Sequence, residues 1–115
     1  MTLDDPRFRI GVAHFNAEEF FDAHEVWEEW WHECPPEDRR FVQSLIQAAV
    51  SLYHWGNANA AGAAKLFQRG SEKAADYPSV YYGLPLAELW AGVEATLFHA
   101  AVPPRIVLVT DPLSP

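Results

Sequence analysis

His24 and Glu28 stand four residues apart in a segment of helical periodicity, so an imidazole and a carboxylate rise from successive turns of one helix face and can touch. Such a pair can move a proton, because burial raises the acid's pKa and lowers the imidazole's while mutual attraction acts the other way. It can also supply two metal ligands, or hold a small polar molecule through mixed hydrogen bonds. The string His24-Glu25-x-x-Glu28 begins like the zincin motif, with Glu25 in the place of the general base and Glu28 where the second zinc-binding histidine would stand. Completed by His54, or by His32 two turns along, His24 and Glu28 would form a two-histidine, one-carboxylate set suited to zinc, manganese or iron. Glu29-Trp-Trp-His32 has the Glu-x-x-His spacing of di-iron bundles, but no Glu precedes His14, His54 or His99 by three residues, so the second copy that this chemistry needs is missing.

Two chemical outcomes follow from these residues. In a hydrolytic or proton-transfer version, a bound metal or Glu28 activates water and Glu25 shuttles protons. In a non-enzymatic version the His-Glu pair is core architecture that fixes helix register, and the chain acts as a structural or protein-interaction module.

The helix that carries the pair is strongly acidic. From Ile10 to Asp38 there is no Lys or Arg, against nine acids and three histidines. On a helical wheel Val26, Trp30, Ala23, Trp27, Phe20, Trp31 and Phe21 form one apolar arc, and Glu25, Glu18, Glu29, Asp22 and Glu33 fill the opposite side. His24 and Glu28 break this division, falling within the arc between Trp31 and Phe21, which predicts a polar pair buried in an aromatic pocket. From Phe41 through Ala64 the only acidic, basic or imidazole side chain is His54, and it clusters with Gln43 and Gln47 on one stripe. A central helix with Gln47 and His54 turned toward His24 and Glu28 would close a network of two imidazoles, a carboxylate and an amide around a ligand.

Punctuation by Pro, Gly and capping residues divides the chain into helices. A short one opens at Pro6 behind an Asp5 cap and ends near His14. Asn16, with Glu19 three residues on, reads as the cap of the next, which runs to Glu33 before Cys34-Pro35-Pro36. A third spans Glu37 to about Trp55 and stops at Gly56. A fourth covers about residues 60 to 75 behind Asn57 and Asn59, and there Gly62 and Gly70 predict close helix approach. A fifth opens at Pro85 with Leu86, Leu89, Trp90, Val93 and Leu97 on a buried stripe. The tail from about residue 103 contains the β-branched run 105–110, with no second strand to pair with it, and is expected to dock on the bundle or on a partner subunit. The expected fold is all-α, a single helical domain over 1–115: a compact bundle of about four main helices, a short N-terminal helix and an extended C-terminal tail.

Composition limits the partners. Eight basic against sixteen acidic residues in 115 give a net charge of −8, which opposes nucleic acid and anionic lipid. No apolar run approaches the roughly 20 residues of a membrane span. The single Cys34 closes no intramolecular disulfide, has no nucleophile motif around it, and is expected in an exposed proline turn. The acidic start lacks a basic region followed by an apolar run, so no signal peptide is read and the cytoplasm is the expected location. Lys65, Arg69 and Lys73 share one helix face, toward solvent or the acidic helix. A homo-oligomer contact would use the tail or the acidic face.

The string Phe15-Asn16-Ala-Glu-Glu-Phe20-Phe-Asp-Ala-His24-Glu25-Val-Trp-Glu28-Glu-Trp30-Trp, followed by Phe41-Val-Gln-Ser-Leu45-Ile46-Gln47, Tyr53-His54, Gly62-Ala63-x-x-Leu66, Tyr77-Pro78 and Gly83-Leu84, resembles a small prokaryotic family catalogued as domain of unknown function 309. The resemblance covers about Phe8 to Leu97. It implies an all-helical bundle with the His-Glu-x-x-Glu helix at its centre, and it implies no reaction. His24, Glu25, Glu28, Gln47 and His54 fall in the family's motif blocks, and Ser44 stands where the family pattern has glycine.

Overall fold

A computed structural model describes residues 5–109. Five α-helices account for most of it: α1 (Pro6–Asn16), α2 (Phe20–Glu33), α3 (Arg39–Gly56, entered through a 3-10 turn at Pro36–Asp38), α4 (Ala60–Ala74) and α5 (Leu86–His99). Between α4 and α5 lies a hairpin of two-residue antiparallel strands, β1 (Val80–Tyr81) and β2 (Leu84–Pro85). The first four helices pack each against the next in sequence, and α5 closes on α4 and α3. The Cα radius of gyration is 13.3 Å, which matches the roughly 13 Å of a compact chain of this size. None of these helices is long and apolar enough to cross a membrane.

Local chemistry explains most of the boundaries. Asp5 caps α1, its Oδ1 accepting from the Arg7 amide at 2.9 Å, and Arg7 clamps the same carboxylate while also reaching Glu33 of α2 at 2.8 Å. Pro35 and Pro36 end α2, and Asn59 caps α4 by accepting from the Gly62 amide at 3.0 Å. The core they enclose is aromatic: Phe8, Phe15, Trp27, Trp30 and Phe41 are all buried, joined by Leu45, Leu52, Leu86, Leu89 and Val93. Gly11 of α1 sits against the Trp27 indole and Gly70 of α4 against Trp90, so at both places the missing side chain lets two helices close. Gly62 is different, since what a Cβ would meet there is the capping Asn59 and not another helix. Ser44 is fully buried, and its hydroxyl donates to the Phe41 carbonyl at 2.7 Å.

Two expectations are corrected here, those for Asn16 and Cys34. Asn16 does not cap α2; it ends α1, and its amide brackets Ile106 of the tail, donating to the Ile106 carbonyl at 2.8 Å and accepting from the Ile106 amide at 2.6 Å. The helix after it starts at Phe20 without a side-chain cap. The tail thus docks on the bundle, one of the two placements expected of it, and Ile106 is buried; Val109 adds a backbone bond to Gly83 at 2.6 Å, while Thr110 lies outside the described residues. Cys34 is buried, not exposed, with its thiol toward the Trp31 carbonyl.

Asp38 is the remaining surprise of the core. Placed by sequence at a helix start, it is only 2% exposed. Its carboxylate accepts from the hydroxyls of Tyr81, at 2.7 Å, and Tyr82, both on the hairpin. A buried carboxylate is tolerated when strong donors replace water, and two phenols do so here. The bond to Asp38 raises the Tyr81 hydroxyl's pKa well above that of a free tyrosine.

Candidate functional site

Antiparallel packing of α2 and α3 sets Phe21 beside Tyr53 at one end and Trp31 beneath Arg39 at the other, with ring centroids 5.4 Å apart in the first contact and the guanidinium 4.0 Å from the indole centroid in the second. Between these ends lies a concavity. Leu66 of α4 completes a groove of about 290 Å³ lined also by His24, Glu28, Trp31, Gln43, Ile46, Gln47 and Val50. Beside it lies a second hollow of about 220 Å³, with Phe20, Phe21, His24, Val50, Tyr53 and His54 in its walls. His24 and Val50 belong to both.

The structure thus brings His24, Glu28 and Gln47 to one concavity and sets His54 in the next. His54 is held by Asn59, whose Nδ2 donates to His54 Nδ1 at 3.3 Å. Glu25 is exposed and lines neither hollow. The expected burial of the pair is corrected: the His24 side chain is 21% exposed and that of Glu28 55%. Phe20, Ala23, Trp27 and Trp30 supply the covered part of the α2 arc. The line Phe21, His24, Glu28, Trp31 is its edge, and there the arc becomes a groove wall.

The hydrogen bonds fix roles. His24 Nδ1 lies 3.0 Å from the Phe21 carbonyl oxygen. That oxygen only accepts, so Nδ1 carries a proton and donates, leaving Nε2 turned toward Glu28 Oε1 at 3.7 Å. Gln47 Oε1 accepts from Lys73 Nζ of α4 at 3.1 Å, so one of the basic residues expected to meet solvent or the acidic helix instead engages α3 at the groove. The Trp31 indole nitrogen is buried and, among the described residues, has no acceptor.

Sequence reasoning missed one cluster. Among the described residues only His14, Glu19 and Asp22 bring three metal-type ligand atoms within 4.8 Å of one another; His24, Glu28 and His54 do not converge in this way. His14 Nδ1 and Glu19 Oε1 are 2.7 Å apart across the break between α1 and α2. That spacing follows no helical period, so no pattern in the sequence marks it.

Comparison with known proteins adds a frame. The pattern of the family described as Domain of unknown function (DUF309) matches residues 8–66, a stretch that contains every residue lining the groove. A segment of 57 residues is 47% identical to a protein of Bacillus subtilis (strain 168) named "Uncharacterized protein YpuF". The match takes in 48% of this chain and 33% of that relative, so the chain spans about a third of the relative's length.

Proposed function

Starting from the DUF309 family, to which the chain belongs, we propose that its α2–α3–α4 groove binds a small polar organic molecule through His24, Glu28, Gln43 and Gln47. The observation that carries this reading is the convergence of imidazole, carboxylate and two amides from two helices on one concavity of about 290 Å³. Apolar walls with a few convergent polar groups are the general form of small-molecule sites. Trp31 lines the same groove, and its buried indole N–H has no acceptor among the described residues. The donor set favours an organic ligand over a metal ion, because only two side chains of metal-binding type, His24 and Glu28, line the groove. Where the bound molecule reacts, proton transfer with His24 or Glu28 is the step within reach of these groups.

The test is a fragment screen followed through the indole N–H signals in 1H–15N spectra, with His24→Ala as the control. Polar fragments should shift the Trp31 signal in the wild type and leave it unmoved in a folded His24→Ala protein. Elemental analysis of untagged protein purified without chelator runs beside it. Stoichiometric zinc, manganese or iron that disappears in His24→Ala would replace the organic ligand with a metal. A screen that moves no groove signal would end the binding reading and leave the His-Glu pair as architecture.

A further inference from the structure

When the His24 ring is neutral, two acceptors face each other in the groove. With Nδ1 committed as a donor to the Phe21 carbonyl, the neutral His24 ring presents a bare Nε2 lone pair to Glu28 Oε1 at 3.7 Å. This gap is too long for a direct hydrogen bond, yet a single donor with two hydrogens reaches both atoms at ordinary distances. The surroundings call for a positive charge on that donor. Among the described residues no Lys or Arg pairs with Glu28. Nor does any occur in α2, in α3 after Arg40 or in α4 before Lys65, while Arg39 and Lys73 are engaged by Trp31 and Gln47.

The hollow next door supplies the rest of a binding site. His24 is its shared wall, and Phe21 and Tyr53, 47% and 40% exposed, hold their rings 5.4 Å apart at its rim. Aromatic faces of this kind attract cations and bury carbon equally well. Lys73 sits at the other end of the groove, where Gln47 accepts from it. We infer that the ligand of this site is an organic ammonium, its nitrogen donating to His24 Nε2 and Glu28 and its hydrocarbon part seated against the rings of Phe21 and Tyr53. The inference rests on the groove-binding reading above and names the ligand class it implies.

Three probes of one shape and different charge separate the possibilities: benzylammonium, benzyl alcohol and benzoate, each titrated into the full chain with His24 ring and Trp31 indole signals recorded. Benzylammonium should bind, and the other two should be weaker by about tenfold or more, as loss of a charge-assisted bond to a carboxylate implies. Glu28→Gln, at a side chain exposed enough to be replaced without unfolding, should remove most of the preference. Tyr53→Ala should weaken the ammonium while leaving its advantage over the alcohol. Equal or tighter binding of the alcohol or benzoate at these residues would overturn the ammonium assignment and leave the groove as a site. If none of the three probes binds, the assignment also falls. The wider fragment screen then decides whether the site reading falls with it.

Discussion

Gly11→Ala tests how tightly the first two helices must close for α2 to stand where it does. In an exposed helix this substitution would stabilise by up to about 1 kcal/mol, since alanine is the better helix former. Here an added Cβ would lie 2.0 Å from Trp27 Nε1 and 2.4 Å from Cε2. That is roughly 1.5 Å short of a normal carbon contact. Trp27 has nowhere to retreat: it is 0% exposed, its Nε1 donates to the Phe8 carbonyl at 3.2 Å, and its ring packs on Phe15. Overpacking of this kind costs about 1 to 3 kcal/mol and loss of the indole bond about another 1, which together outweigh the helix gain. A net loss of about 2 kcal/mol, or a Tm lower by about 8 °C, is expected in circular-dichroism melts. Gly56→Ala is the control, because nothing lies within 4 Å of its added methyl and its φ is not positive; it should be neutral or slightly stabilising. Equal melting of the two variants, or a Gly11→Ala protein as stable as the wild type, would refute the packing argument.

Two further expectations concern buried titratable groups. Asp38→Ala leaves the Tyr81 hydroxyl without its acceptor and takes one from Tyr82, and should cost about 3 kcal/mol in urea unfolding, whereas a loss below about 1 kcal/mol would show that the phenols find other partners. Burial raises the Cys34 thiol's pKa, so the native thiol stays protonated and should alkylate slowly at pH 8 compared with the urea-unfolded chain. Because the folded pKa lies above the unfolded one, its contribution to stability is complete below about pH 8.5 and is lost as pH rises through the folded value. A Cys34→Ser protein with the same alkaline limb as the wild type would contradict that assignment.

The helices were legible because their signals are local. Pro35-Pro36, Gly56 and Asn59 act within a few residues of themselves, and each punctuates the chain where the structure does. Asn16 misled for the same reason: Asn-x-x-Glu is a real capping pattern, but its amide is taken by Ile106, 90 residues away, and nothing local announces that. The helical wheel placed His24 and Glu28 at the correct angle beside Trp31 and Phe21. It could not say which part of the arc a neighbour covers, so edge residues that wall a groove were read as buried. Gln47 was placed correctly, since α3 runs antiparallel to α2. His54, two turns further along α3, overshoots the groove into the hollow lined by Phe21 and Tyr53. Asp38 shows the converse limit, because an acid at a helix start suits the backbone amides whether or not two tyrosines arrive from a hairpin.

The Asn16–Ile106 bracket also shapes how the molecule opens. Contacts among α1 to α4 join sequence neighbours, and structures built that way can fray from an end one helix at a time. A side-chain amide, posing as a strand neighbour, ties the close of α1 to a residue beyond α5 and adds to the contact of Phe8 with Tyr82 of the hairpin. The Ile106 amide, though outside any helix, should then exchange its hydrogen with solvent more slowly than the other amides of the tail.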